Sequence, residues 1–212
     1  MNGQLRKAED DQLTRRSRSR GILIITGTPG VGKSSASKLL ASRIGARSVS
    51  LGDLVEREKL HTGVDEKRDT LVADMKKVKE RVERMIAESA GDIVIEGHYA
   101  VDVVSPEEVR FVFVLRRDPG ELERVLRERL YREEKVRENL AAEILDVCLS
   151  DAVARCGAHN VCEVDVTGRK VEDVVEEIVQ ILDGKKVCRV GLVDWLGRLE
   201  SEGKLDEYLK GF

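Results

Sequence analysis

An α/β fold, with a five-stranded parallel sheet covered by helices on both faces and a helical tail, is what this sequence of 212 residues predicts. Three observations predict it. Short apolar runs alternate with segments whose apolar residues recur at helical spacing. The runs are nearly continuous in apolar residues, as in strands buried on both faces. The totals suit one domain with a small appendage: 41% hydrophobic residues can fill a core, and 36% charged residues can cover its helices.

The elements follow in order. Residues 1–20 carry "RRSRSR" and little apolar content, so they read as a solvated basic tail or as a flexible arm that touches RNA or another anion. The strands are expected at about 21–26, 47–51, 92–96, 110–115 and 161–165. Between them, "SSASKLLASRI" has helical spacing, and "DTLVADMKKVKERVERMIAES" places Leu71, Val72, Met75, Val78, Val82, Met85 and Ile86 on one helical face. "DPGELERVLRERL" opens as a helix, with Asp118 as N-cap, Pro119 first and Glu121 third. "VRENLAAEILDVCLSDAV" reads as one continuous helix, and "VEDVVEEIVQIL" as another. After a Gly-Lys-Lys break, Leu192, Trp195, Leu196 and Leu199 share a helical face, either packed on the domain or free to dock a partner. The domain is thus expected over 21–185 and the tail over 186–212.

Charge is nearly balanced, 37 basic against 40 acidic residues for a net of −3, which does not suggest bulk nucleic-acid binding. The four cysteines form no C-x-x-C pair and no His cluster accompanies them, so zinc is not expected and free buried thiols are. No apolar stretch approaches the ~20 residues of a membrane span. The N-terminus lacks an apolar signal-peptide core, so an intracellular protein is expected.

"GILIITGTPGVGKSS" carries the chemistry. Gly27 to Ser34 fit G-x-x-x-x-G-K-[ST] without gaps, with a strand before and a helix after. Glycines let backbone N–H groups approach phosphate oxygens, and the helix aims its positive end at the same anion. Lys33 supplies a point charge, the Ser34 hydroxyl suits Mg²⁺, and Ser35 can bond the next phosphate. No N-K-x-D motif marks a GTPase, and no strand ends in the Asp-Asp or Asp-Glu of a motor. A small kinase remains. Such enzymes need arginines at the transfer point. Arg116 and Arg117 end a strand, and Arg124, Arg127, Arg129, Arg132 and Arg137 follow. Several of these can instead pair with neighbouring glutamates.

In this order, "TGTPGVGKSS", "LGDLVEREKL", "VIEGHYA", "FVFVLRRDPGELERVLRERLYREEKVRENLAAEILDV" and "VDVTGRKVEDVVEEI" resemble the adenylate kinase isoenzyme 6 type family over about 21–183, and the likeness extends to "VDWL" in the tail. The "Y-x-E-x-K-x-x-E-N" segment with its "AEI" is more distinctive than the phosphate loop. The resemblance implies a P-loop nucleoside-monophosphate kinase fold. It implies transfer from ATP with Mg²⁺ to AMP or another monophosphate, with weak ATPase activity. It also implies a link to small-ribosomal-subunit maturation beside a uS11-type ribosomal protein and rRNA. An ATP-driven assembly factor is therefore the alternative. A kinase of a sugar acid or of dephospho-coenzyme A is a third reading that the loop alone permits.

Carried over by position, Gly30, Gly32, Lys33, Ser34 and Ser35 would hold phosphates. Gly52 and Asp53 would begin a monophosphate-binding region over about 52–75. A lid over about 128–138 would close Arg129 on ATP. Glu96 would serve Mg²⁺ through water, and His98 would orient water or phosphate unless it is a structural residue. Glu96 stands where the family often has Asp, and Leu130 where it has the Gly of R-G-Y, a change expected to stiffen the lid hinge. A cytoplasmic monomer is implied, or a nuclear one in a eukaryote.

Overall fold

The computed structural model describes residues 21–66 and 70–209; the arginine-rich segment at 1–20 lies outside them. Seven strands are described: β1 (Ile22–Thr26), β2 (Arg47–Ser50), β3 (His61–Asp65), β4 (Thr70–Ala73), β5 (Ile93–Glu96), β6 (Val109–Arg116) and β7 (Val161–Asp165). Five of them form one parallel sheet in the order β2-β5-β1-β6-β7, and β3 and β4 pair separately as an antiparallel hairpin. The helices are α1 (Lys33–Ile44), α2 (Leu51–Arg57), α3 (Met75–Glu88), α4 (Pro119–Glu128), α5 (Glu133–Ile144), α6 (Val147–Cys156), α7 (Val171–Leu182), α8 (Trp195–Ser201) and α9 (Leu205–Leu209).

Strand alternation divides the core into two layers. Ile22 and Ile24 face one layer with Val49, Ile95 and Val112, against α2, α3 and α6. Leu23 and Ile25 face the other with Val94, Phe113 and Val164, against α1, α4, α5 and α7. Successive side chains of a strand point to opposite faces, so a strand buried on both sides must be apolar throughout. β1 sits at the centre, and its C-terminal end delivers the chain into the phosphate loop.

The five expected strands of the parallel sheet are present. Other expectations are corrected. The helix expected from residue 69 starts at Met75, because Asp74 caps it by accepting from the Lys77 N–H at 3.2 Å. Leu71 and Val72 lie instead in β4, paired with Val64 and Gly63. The helix expected through 136–153 is two helices: Asp146 takes a left-handed conformation, φ 56°, between α5 and α6. Arg116 meets the break, donating to the Glu143 carbonyl at 3.0 Å and to the Asp146 carboxylate. The guanidinium thus satisfies backbone that the broken helix leaves open.

The cysteines are not all free thiols: Cys162 and Cys188 form a disulfide, while Cys148 and Cys156 remain free. The Glu163 N–H donates to the Arg189 carbonyl at 2.8 Å, which lays the tail along β7 and brings Cys188 beside Cys162. In the tail, Trp195 and Leu199 are buried with Ile144, whereas Leu192 and Leu196 of the expected apolar face are exposed. No helix among the described residues is long and apolar enough to cross a membrane.

Candidate active site

The site lies at the C-terminal ends of β1, β2, β5 and β6. After Thr26 the chain makes a glycine-rich turn and enters α1 with no side-chain cap at Gly32. The first N–H groups of α1 are therefore open to an anion. Two glycines have definite reasons. Gly27 sits at φ 135°, and a Cβ there would lie 2.5 Å from the Leu115 carbonyl oxygen. Gly30 sits at φ 98°, and a Cβ there would meet Leu122 Cδ1 at 2.8 Å. Close packing against β6 and α4 fixes the loop, and side chains would prise it away.

Lys33 folds back over the loop: its Nζ donates to the Gly27 carbonyl at 2.8 Å and to the Thr28 carbonyl at 3.0 Å. Burial pushes its pKa below the ordinary lysine value, against the neighbouring Cys148, Glu96 and Glu143, which favour the charge. The phosphates of a bound nucleotide would reverse that cost, since they supply opposite charge to a desolvated ammonium.

Ser34 Oγ donates to Glu96 Oε1 at 2.9 Å. Glu96 is 4% exposed at the end of β5, and its register partner on β2 is Ser50. A hydroxyl and a carboxylate in contact are hard oxygen donors, the kind Mg²⁺ takes together with phosphate oxygens and water. The residues fit that ion. No group of three or more His, Cys, Asp or Glu positioned to hold a metal occurs among the described residues, so the protein would supply part of its shell only.

Ser50 also caps α2, accepting from the Asp53 N–H at 3.3 Å. Gly52 and Asp53 are thereby placed in the first turn of α2, exposed, beside the end of β5. His98 follows Glu96 on the same strand end. Its carbonyl accepts from Thr26 Oγ1 at 3.3 Å, and its ring meets Tyr99 edge-on at 4.6 Å. The residue as a whole is exposed, yet desolvation of its ring, then the Lys33 and Lys135 cations, lower its pKa to about 4. It is a neutral imidazole at pH 7.

The expected lid is compact. α4 ends at Glu128, α5 begins at Glu133, and Arg129 to Arg132 turn between them; residues 133–138 are helix. Leu130 stands at φ 59° and is 89% exposed. Arg129 is exposed at this corner, and its charge reaches Lys33. The corner also touches the hairpin: Arg132 Nη1 donates to the Glu66 carbonyl at 2.9 Å, and Lys135 Nζ donates to Thr70 Oγ1 at 2.8 Å.

The two strand-end arginines divide. Arg116 is 1% exposed and belongs to the interior, where Glu143, Glu163 and Asp146 hold it. It is not free to meet a phosphate. Arg117 lies beside the loop, with Nη2 4.0 Å from where a Cβ on Gly32 would sit. Its buried Nε has no hydrogen-bond partner, and no carboxylate among the described residues pairs with it. Arg127 and Arg137 pair with glutamates on the helices, as i,i+4 spacing allows.

Sequence reasoning did not single out Thr28 or Glu143, although the structure joins them: Thr28 Oγ1 donates to Glu143 Oε2 at 2.6 Å. A signal was available. In "NLAAEIL" a glutamate interrupts an apolar helical face, and a carboxylate there must be buried with partners. A cavity of about 450 Å³ lined by Ile22, Ile86, Ile93 and Arg110 lies at the opposite, N-terminal end of the strands, away from the loop.

A family model described as an AAA domain matches residues 23–146. A protein of Methanocaldococcus jannaschii named "Putative adenylate kinase" is 38% identical over 173 residues, covering 82% of this chain and 92% of its own. A protein of the same name from Saccharolobus islandicus is 38% identical over 186 residues, covering 88% of this chain and 93% of its own. Among solved structures, shikimate kinase of Acinetobacter baumannii aligns with a TM-score of 0.55 at 12% identity, over 82% of this chain and 99% of its own. Shikimate kinase of Bacteroides thetaiotaomicron aligns with a TM-score of 0.54 at 16% identity, over 78% and 99%. At such identities these structures establish the shared α/β kinase fold.

Proposed function

Since the chain belongs to the P-loop kinase family whose archaeal members carry the name "Putative adenylate kinase", we propose that it transfers the γ-phosphoryl group of ATP to AMP or a related nucleoside monophosphate, with slow ATP hydrolysis as a side activity. The coarser statement, a nucleotide-binding P-loop phosphotransferase, follows from the family itself. The observation that carries the finer one is the contact between Ser34 and Glu96 at 2.9 Å, with the capped start of α2 next to it through Ser50. On this reading the donor phosphates lie on the loop, and the acceptor lies against the first turn of α2, which Ser50 at the end of β2 caps beside Glu96.

Catalysis here is positioning and charge neutralisation, and no covalent intermediate on the enzyme is needed. The open N–H groups of the loop and α1 hold the β- and γ-phosphates. Lys33 exchanges its two loop carbonyls for phosphate oxygens. Ser34 and Glu96 would hold Mg²⁺, which neutralises charge between the β- and γ-phosphates when bound. Arg117 on the loop side and Arg129 on the corner, neither paired with a carboxylate among the described residues, supply cations. Gly52 and Asp53 meet the acceptor, and the Arg129–Arg132 corner closes over it and excludes water. Neutral His98 can accept a hydrogen bond from water or from the acceptor.

The assembly-factor alternative uses the same loop, but Trp195, one of its handles, is 6% exposed and packed inward. Its other handle lies in residues 1–20, outside the described part. The experiment is ATP consumption with Mg²⁺, with and without each monophosphate, using Lys33→Ala as control. AMP-dependent ADP formation that vanishes in the variant is expected. Phosphate release indifferent to every monophosphate would overturn the transfer reading.

A further inference from the structure

Thr28 has two faces. Its backbone belongs to the phosphate loop, and its carbonyl accepts from Lys33 Nζ at 3.0 Å. Its side chain turns inward, is 1% exposed, and donates to Glu143 Oε2 at 2.6 Å. Glu143, on α5, is 2% exposed. Its Oε1 accepts from Arg116 Nε at 2.9 Å, from the Arg117 N–H at 3.1 Å and from Trp195 Nε1 at 3.2 Å. One buried carboxylate therefore joins the phosphate loop, the end of β6 and the C-terminal tail.

The indole is held on its far side as well. Arg198 lies over its ring at 4.7 Å and donates to Asp118 Oδ2 at 2.6 Å. Ahead of it, the Leu192 N–H donates to Glu163 Oε2 at 2.6 Å. Lys33, Thr28, Glu143 and Trp195 thus form a chain of contacts that the phosphate-loop motif does not itself require. In a low-dielectric interior such hydrogen bonds are strong, and moving one acceptor strains the next.

We propose that Glu143 is a positioning residue for the phosphate loop, and that through it the C-terminal Trp195 both fixes Thr28 and senses nucleotide there. This rests on the nucleotide-binding reading above. When phosphate draws Lys33 off the Thr28 carbonyl, Thr28 relaxes, and the change reaches the indole through the Glu143 carboxylate. The tail is then a working part of the ATP site, placed behind the loop rather than over it.

Trp195 is the one tryptophan in the chain, so tryptophan emission comes from this position alone. The full chain is titrated with Mg·ADP while emission is followed, and calorimetry on the same samples counts binding independently. A saturable emission change at the calorimetric midpoint is expected. Thr28→Val, which removes the inward hydroxyl at constant volume, is expected to bind ADP and lose most of that change. Glu143→Gln is expected to raise KM for ATP about tenfold with kcat little altered, as for a hydrogen bond to a buried charge. A purely structural Glu143 would lower the melting temperature and leave KM and the ADP-induced emission change as they were. Heat without any emission change in the wild type, or a full change in Thr28→Val, would overturn the relay. Absence of both heat and emission change would overturn the nucleotide-binding reading beneath it.

Discussion

Ser34 and Glu96 meet directly: the hydroxyl of the phosphate loop donates to the carboxylate at the end of β5 over 2.9 Å. The longer side chain makes this reach possible. An aspartate on the same backbone would stop one methylene short and leave room for water between. Glu96→Asp is therefore expected to weaken Mg²⁺ dependence about tenfold, and Glu96→Ala to lower kcat by about two orders of magnitude. Initial rates against Mg²⁺ concentration distinguish them. Unchanged curves in both would remove Glu96 from the site.

Arg116 and Arg117 should part company on substitution. Arg116→Ala leaves Glu143 and Glu163 buried without their cation, and loss of one partner in such a set costs about 3–5 kcal/mol. Chemical denaturation should show that loss. Arg117→Ala removes an unpaired cation at the loop, so stability should hold while KM for ATP rises several-fold. A destabilised Arg117→Ala with normal KM would return this residue to a structural role.

That division also marks how far the sequence was legible. The Gly27–Ser34 motif, the apolar strands and the capped α4 are local patterns, and they fold as their patterns require. The use of each arginine is decided by residues distant in sequence: Glu143, Asp146 and Glu163 claim Arg116, and nothing in "LRRD" says which arginine they take. The β3–β4 hairpin was hidden for another reason. Leu71 and Val72 fit the helical period of α3, and only the Asp74 cap stops the helix short of them. The Cys162–Cys188 disulfide needs a tail laid beside β7, which spacing alone does not reveal.

Lys135 Nζ donates to Thr70 Oγ1 at 2.8 Å and ties the first turn of α5 to the β3–β4 hairpin. This is an exposed contact, worth about 1 kcal/mol or less. Lys135→Ala should raise KM for the monophosphate about threefold to fivefold and leave KM for ATP nearly unchanged. Steady-state kinetics with each substrate varied in turn would show it. An equal rise in both constants would contradict a role in closure.

The disulfide closes a chain separation of 26 residues, and loops of that size stabilise by about 3 kcal/mol through the unfolded state. Cys188→Ser should lower stability by about that amount and loosen the tail, with Trp195 emission moving to the red. Dithiothreitol on the wild type should reproduce the emission shift. An unaltered denaturation midpoint in the variant would show that the tail holds without the bond.

Asp118 joins the tail to the domain and sets a pH window. It caps α4 by accepting from the Glu121 N–H at 3.0 Å and takes the Arg198 guanidinium at 2.6 Å. Burial works to raise its pKa, but Arg198 and the capping N–H groups outweigh it, so the carboxyl lies below its ordinary 3.8. A carboxylate lowered in the folded state adds stability that is complete above its unfolded pKa and disappears as pH falls through the folded one. Asp118→Asn separates the charge from the cap, since asparagine also caps well. With both side chains partly exposed, the charge should contribute about 1 kcal/mol or less near neutral pH. The difference between wild type and variant should hold down to about pH 4 and vanish below it. Denaturation curves across that range provide the check. A difference that persisted in acid would mean that the cap, and not the Arg198 pair, distinguishes the two proteins.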